Sequence, residues 1–99
     1  MNEFNYIDTT KTPLALPGDT RIDALEMAVV ASVSLAGLNL EGMNLRGANM
    51  KGANLSNTDL SGADLNGSNL SWANLSWANL SWANLSGAIL EGSVFWGQT

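Results

Sequence analysis

The sequence predicts a solenoid whose backbone turns a corner once in every five residues. A large apolar residue stands at every fifth position from Leu35 to Phe95, and all of these positions hold Leu except Met50 and Phe95. Glycine follows most of them by two residues, where a turning chain needs a residue that tolerates positive φ. Four such corners close a square coil, in which every large apolar residue points inward.

A five-residue period excludes the ordinary helix and the flat strand. At about 3.6 residues per turn, a five-residue step spreads the apolar side chains around the whole helix, so no apolar stripe forms. Side chains on a strand alternate with a period of two, so an odd step would send successive apolar residues to opposite faces. The corner glycines that remove this conflict are Gly37, Gly42, Gly47, Gly52, Gly62, Gly67, Gly87, Gly92 and Gly97.

The repeat units match a known family pattern. Blocks such as Ala48-Asn49-Met50, Ala53-Asn54-Leu55 and Ala63-Asp64-Leu65 resemble the A(D/N)LXX signature of pentapeptide-repeat proteins. The resemblance implies an all-β fold, a right-handed quadrilateral β-helix with four pentapeptides in each coil. On that basis residues 33–97 form about three coils. The large apolar residue and the small residue two places before it are expected to face inward.

The segment before the repeats predicts a cap and an arm. Solenoid ends need caps, because open strand edges pair with other chains. Residues 19–32 predict a short α-helical cap, with Asp19 or Thr20 as the N-cap residue. Its apolar face comprises Ile22, Leu25, Ala28 and Val29. Residues 1–18 hold both prolines and show no periodicity, which predicts a flexible N-terminal arm.

Charge and composition narrow the classes of partner. The net charge is −5, and only four residues are Lys or Arg, which argues against binding to nucleic acid. The longest mainly apolar segment, residues 27–33, is too short to span a bilayer, and the N-terminus lacks a signal-peptide pattern. With no cysteine, these features predict a cytoplasmic protein that does not enter a membrane. Some pentapeptide-repeat proteins are acidic rods that imitate DNA and bind DNA gyrase; this chain is short and weakly charged for that role.

The residue inventory predicts that the chain is not an enzyme. Histidine and cysteine, the commonest catalytic bases and nucleophiles, are both absent. Asp59 and Asp64 lie in successive units, so we expect them on adjacent sides of the square, where they replace the usual outward Asn. The glycines never form a phosphate-binding loop ahead of a helix. We therefore predict no catalytic residue, no metal site and no cofactor.

Residues 71–86 carry the most unusual feature of the chain, the sequence SWANLSWANLSWANLS. Trp72, Trp77 and Trp82 stand at the corner position that glycine holds elsewhere, although a large apolar side chain is costly to expose. One interpretation is packing, with each ring lying flat over the coil. Glycines lie one coil, or twenty residues, away from each tryptophan and would leave room for its ring. They are Gly52 and Gly92 for Trp72, Gly97 for Trp77, and Gly62 for Trp82.

A second interpretation is a binding surface. Tryptophan often anchors protein interfaces, and a band of three with Trp96 nearby could mediate self-association or recognise another protein. Because successive corners point in different directions, one flat partner would contact at most two of the three rings. This interpretation makes the chain a small interaction scaffold.

The third interpretation is a covalent modification. The three Trp-Ala-Asn triplets resemble motifs in precursors of ribosomally made natural products, in which a radical-SAM maturase joins the Trp ring to the Asn β-carbon as a three-residue cyclophane. The implied modification sites are Trp72, Asn74, Trp77, Asn79, Trp82 and Asn84. This resemblance accounts for the repeated Trp-to-Asn spacing, so the preferred prediction from sequence is a maturase substrate, with the interaction scaffold as the alternative.

Overall fold

A β-hairpin occupies the segment that the sequence predicts to be a flexible arm. The computed structural model describes residues 1–97, in which strand β1 (Asn2–Phe4) pairs antiparallel with strand β2 (Leu14–Leu16). Phe4 is fully buried, and the guanidinium of Arg21 lies 4.1 Å from the centroid of its ring. The segment predicted to be an arm thus contains a hairpin that buries Phe4, and its three-residue strands are too short to show a period of two.

Helix α1 (Arg21–Val30) follows the hairpin along the chain and precedes the coil. Thr20 is its N-cap residue, because the Thr20 hydroxyl accepts a hydrogen bond of 3.1 Å from the Asp23 N–H. Leu25 and Ala28 are buried, as the apolar pattern predicts, and Ala24 is buried beside them. No helix within residues 1–97 is long and apolar enough to cross a membrane.

The remaining residues form a coil whose strands pair with residues twenty positions away. Asn44 pairs with Asp64 in parallel, and Asp64 pairs in turn with Asn84. The Leu45 N–H donates to the Asp64 carbonyl at 2.8 Å, and the Asp64 N–H donates back to the Met43 carbonyl at 3.0 Å. Twenty residues are four units of five, so each coil has four walls.

Each wall stacks one column of inward residues. Wall 1 holds Leu35, Leu55, Leu75 and Phe95; wall 2 holds Leu40, Leu60 and Leu80; wall 3 holds Leu45, Leu65 and Leu85; wall 4 holds Met50, Leu70 and Leu90. All of these residues from Leu35 to Leu75 are almost completely buried, whereas Leu80, Leu85 and Leu90 are only partly buried. The core is therefore a set of stacked Leu columns that thins toward the last turn. The corner that follows each wall carries the same number as that wall.

The N-terminal edge of the first coil is covered by the hairpin and by helix α1. The Asn39 N–H donates to the Asn5 carbonyl at 2.8 Å, and the Asn49 N–H donates to the Glu26 carboxylate at 2.6 Å. In the next coil the equivalent Asn69 N–H donates to the Ala48 carbonyl. Glu26 thus supplies the acceptor that a preceding coil would supply, and it blocks the edge to other strands.

Replacing Glu26 with alanine should remove this acceptor and lower stability by about 1 kcal/mol, the usual net value of one hydrogen bond. For a chain of this size that corresponds to a fall of about 4–8 °C in Tm, measured by circular dichroism. Glu26→Gln keeps an acceptor oxygen and should lose less. Glu41→Ala removes an equal charge from an exposed corner and is the control; an equal fall for Glu41→Ala would contradict the capping role.

Candidate functional site: the tryptophan corners

Three tryptophans occupy a backbone conformation that suits glycine. Trp72, Trp77 and Trp82 have φ values of +61°, +62° and +63°, in the left-handed region where the corner glycines also lie. A side chain with a Cβ atom pays about 1 kcal/mol to adopt this conformation. The coil would therefore turn more easily with glycine at all three corners, so the fold does not require tryptophan there.

The rings of Trp72 and Trp77 lie over glycines of the following turn. A Cβ atom added to Gly92 would come within 2.7 Å of Trp72 Cζ3, and one added to Gly97 would come within 2.6 Å of Trp77 Cδ2. The preceding glycine in the Trp72 column, Gly52, has no neighbour within 4 Å of an added Cβ. The packing interpretation is thus correct for Gly92 and Gly97 and wrong for Gly52, because the rings lean toward the later turn.

Trp82 has no such support. Its side chain is 95% exposed, against 63% for Trp72 and 65% for Trp77. A Cβ atom added to Gly62, which precedes Trp82 in its column, would contact only Gly42. The Trp82 ring does not contact that position, so the packing on Gly62 that the sequence suggested does not occur.

The asparagine of each triplet has a structural role of its own. The Oδ1 atoms of Asn74, Asn79 and Asn84 accept hydrogen bonds of 3.0 Å from the N–H groups of the serines two residues later. Asn39 and Asn44, in units without tryptophan, bond the next corner in the same way. This local turn favours Asn or Asp in nearly every unit. Asn or Asp stands two residues after most corners of the coil, with or without tryptophan, so the Trp-to-Asn spacing is not independent evidence for modification.

The triplets nevertheless present both side chains on the outside of the coil. Ala73 and Ala78 point inward and are fully buried, and Ala83 is partly buried on the last turn. The residues on either side of each alanine therefore face solvent. Asn84 is exposed, whereas Asn74 and Asn79 are partly covered. Of the three predicted modification pairs, Trp82 and Asn84 are the pair in which both residues are exposed.

Two apolar residues beside these corners were not singled out from the sequence. Ile89 and Val94 hold the outward position that Asn or Asp occupies in the preceding units, and they are 51% and 38% exposed. They pair with Asn69 and Asn74 of the coil below. The signal in the sequence is the loss of the polar residue before Leu90 and Phe95. Val94 extends the apolar surface of wall 1 between Trp72 and Trp77.

The acidic residues of the coil play local roles. Asp59 and Asp64 each accept a hydrogen bond of 3.0 Å from the backbone N–H two residues later, as the Asn residues do. The N–H of Asn66 lowers the pKa of Asp64, and the guanidinium of Arg46, 3.1 Å away, lowers it further. Within residues 1–97 no three His, Cys, Asp or Glu side chains group together as metal ligands would.

The period, the corner conformations and the parallel pairing define the chain as a β-helical solenoid. The family pattern described as "Pentapeptide repeats" matches residues 34–71 and 73–97 with eight copies. The chain belongs to the pentapeptide-repeat family, whose members fold as right-handed β-helices.

Solved structures of other members are similar to this chain. Rfr23, a pentapeptide repeat protein of the cyanobacterium Cyanothece 51142, is 40% identical with a TM-score of 0.61; the match covers 63% of this chain and 43% of that one. A pentapeptide repeat protein of the Arabidopsis thaliana thylakoid lumen is 30% identical with a TM-score of 0.54, and the match covers 66% and 59% of the two chains. The match thus spans less than two thirds of either relative. No curated protein matches the sequence.

Proposed function

We propose that the chain is a non-enzymatic scaffold, a β-helix of about three coils that binds a partner protein through wall 1 and its two tryptophan corners. Trp72 and Trp77 flank this wall, and Val94 lies between them near its C-terminal end. The observation that carries the proposal is that bulky, largely exposed residues hold strained corners that suit glycine. Strain that the fold does not need is a sign of function.

The chemistry of this wall indicates what the partner should offer. Tryptophan rings bury apolar side chains, and their faces also accept guanidinium groups. No Lys or Arg follows Lys51 in the sequence, and Glu91 adjoins the Gly92 corner beneath the Trp72 ring. A partner segment that combines apolar side chains with arginine would complement both the rings and the local negative charge.

Affinity capture tests this proposal when the protein and a Trp72→Gly/Trp77→Gly variant are compared in the same source-cell extract. Glycine keeps the corner conformation, so the variant should remain folded by circular dichroism. A partner that the protein retains and the variant loses is the expected result. A Glu41→Ala variant, altered at a corner away from wall 1, should retain it. If the double tryptophan variant captures the same partners as the unaltered chain, and in equal amounts, wall 1 is not the binding surface.

The exposure of Trp82 and Asn84 favours a second candidate, the maturase substrate. A radical-SAM enzyme would supply a 5′-deoxyadenosyl radical that takes one hydrogen atom from the Asn β-carbon. The resulting carbon radical would add to the indole ring, and loss of a proton to solvent and an electron to the enzyme's oxidised iron–sulfur cluster would restore aromaticity. Each crosslink therefore removes two hydrogen atoms from the chain.

Tandem mass spectrometry of the protein isolated from its source distinguishes the two candidates. The loss of two hydrogen atoms per triplet, mapped to Trp-Ala-Asn fragments that resist cleavage, would identify a modified precursor. An unmodified mass for all three triplets would reject the maturase substrate and leave the partner surface in place.

A further inference from the structure

An apolar groove, the cap groove, runs between helix α1 and the end of strand β2. Every residue that lines it is apolar, and the set is Leu16, Pro17, Ala24, Met27, Ala28, Ala31 and Val33. The helix and its C-cap residue contribute alanines at spacings of four and three residues, which place them on one face. Because these side chains are small, the helix leaves a trough beside the hairpin instead of filling it.

The size and lining of the cap groove suit a single apolar side chain. Its volume is about 230 Å³, whereas pockets for small molecules usually have about 300–1,000 Å³ and include polar groups that orient the ligand. Met27 at its edge is 52% exposed, and Val33 is 38% exposed. A large apolar side chain of another protein would cover both of them, which is favourable because apolar surface then leaves water.

Unpaired negative charge lies next to the cap groove. Met27 also belongs to an adjoining recess, whose lining includes three carboxylates, those of Asp19, Asp23 and Glu26. Within residues 1–97 no Lys or Arg forms an ion pair with any of the three. Arg21, the only basic residue of the helix, donates to the Glu3 carbonyl at 2.9 Å and stacks on the Phe4 ring, so it is turned toward the hairpin. A basic side chain of a partner would therefore meet carboxylates that no cation of this chain neutralises.

A second recess connects the cap groove with wall 1. It shares Val33 with the groove, and its lining also includes Ser34 and Asn54. The Asn54 side chain donates to the Ser34 hydroxyl at 3.2 Å, and Asn54 pairs with Asn74, which lies between the two tryptophan corners of wall 1. Neighbouring coils are about 4.8 Å apart, so Ser34 and Asn74 are separated by about 10 Å, the length of about three extended residues. One short segment of a partner can therefore reach both places.

We propose that the cap groove binds a large apolar side chain of a partner protein, from a segment that carries Arg or Lys beside it and continues onto wall 1. The basic side chain lies next to Asp19 and Asp23. This inference rests on the proposed binding of a partner at wall 1, and it adds a second contact to that function. An apolar anchor in a pocket with charged residues at the edge is the usual anatomy of a protein interface.

Phage display of random 12-residue peptides on the immobilised 99-residue chain supplies the probe for a test. We expect the enriched peptides to place a large apolar residue beside Arg or Lys. A fluorescein-labelled copy of the most enriched peptide then gives a Kd by fluorescence anisotropy. Ala31→Leu fills the groove from an exposed position and should raise this Kd by about tenfold or more, because the apolar side chain is no longer buried.

Ala15→Leu is the matched control for the filled groove. Ala15 is exposed and alternates with the buried Leu16 on strand β2, so its side chain points to the opposite face of the strand. The added side chain is the same, and the Kd should not change. Circular dichroism should show that both variants remain folded.

A change of charge tests the basic side chain of the partner. Asp23→Asn should raise the Kd by about threefold at low salt, and the difference should shrink at high salt because screening weakens exposed charge pairs. Glu41→Gln removes the same charge from an exposed corner outside the recesses, and it should leave the Kd unchanged. Equal values for Asp23→Asn and Glu41→Gln would contradict the role of the carboxylates.

The tryptophan variant distinguishes failure of the cap groove from failure of wall 1. Equal Kd values for Ala31→Leu and Ala15→Leu would overturn the groove, even where Trp72→Gly/Trp77→Gly weakens binding. The reverse result, a loss with Ala31→Leu and none with the tryptophan variant, would support the groove and reject wall 1. Selection of no peptide would overturn the proposal. Self-association that Ala31→Leu abolishes, measured by sedimentation equilibrium, would also overturn it, because a second copy would then occupy the groove.

Discussion

Replacing Leu65 with alanine is expected to destabilise the coil by about 3–4 kcal/mol, the usual range for loss of a fully buried leucine. Leu65 lies in the middle of the wall 3 column and is completely buried. Because each turn of a solenoid is stabilised mainly by its neighbours, a cavity there weakens contacts with the turns on both sides. Urea unfolding followed by circular dichroism measures the loss.

Leu85 provides the matched control in the same column. It is partly buried on the last turn, so Leu85→Ala should cost only about 1 kcal/mol, in proportion to the smaller apolar area lost. The ratio of the two losses therefore tests whether the stacked columns hold the coil together. Equal losses for Leu65→Ala and Leu85→Ala would contradict that view of the core.

Gly92→Ala is expected to destabilise the coil by about 2–3 kcal/mol. The left-handed backbone, with φ of +70°, disfavours any Cβ atom, and the added methyl would overlap the Trp72 ring. Strain of the first kind costs about 1 kcal/mol, and overpacking against the ring costs about 1–2 kcal/mol more. Urea unfolding measures the sum.

Gly87→Ala isolates the contribution of the ring. Gly87 has nearly the same φ, +69°, but an added Cβ there would lie 3.7 Å from the Gly67 nitrogen, at ordinary contact distance. It should therefore cost only about 1 kcal/mol. The double variant Trp72→Gly/Gly92→Ala should recover the excess loss. If Gly92→Ala costs no more than Gly87→Ala, the Trp72 ring does not rest on Gly92.

The repeat itself predicts the parts of the fold that depend on periodicity. Five-residue spacing of Leu identifies the inward columns, and the recurrence of Gly identifies the corners, because both depend on chemistry repeated many times. The hairpin could not be found in this way, since its two strands are three residues long and its anchor, Phe4, is a single residue. The choice of Thr20 over Asp19 as the N-cap likewise depends on one hydrogen bond.

The candidate site was found from sequence in part. The repeat reveals three tryptophans at corner positions that glycine holds elsewhere. The sequence does not show whether each ring packs on the turn before it or on the turn after it. The structure gives the Trp-to-Asn spacing a structural explanation. The Asn74 side chain accepts a hydrogen bond from the Ser76 N–H before the next corner, and Asn79 and Asn84 do the same. The Leu period does not reveal Ile89 and Val94, because these residues depart from the outward Asn series and leave the inward Leu series unbroken.

We infer that tryptophan stands at these corners for function and against the conformational preference of the coil. The free energy of unfolding of Trp82→Gly tests it most directly, because this side chain is 95% exposed and has a φ of +63°. Denaturant unfolding should be measured at a concentration where the protein and the variant are both monomeric. We expect the variant to be more stable by about 1 kcal/mol. A variant less stable than the protein would show that the coil itself requires the ring.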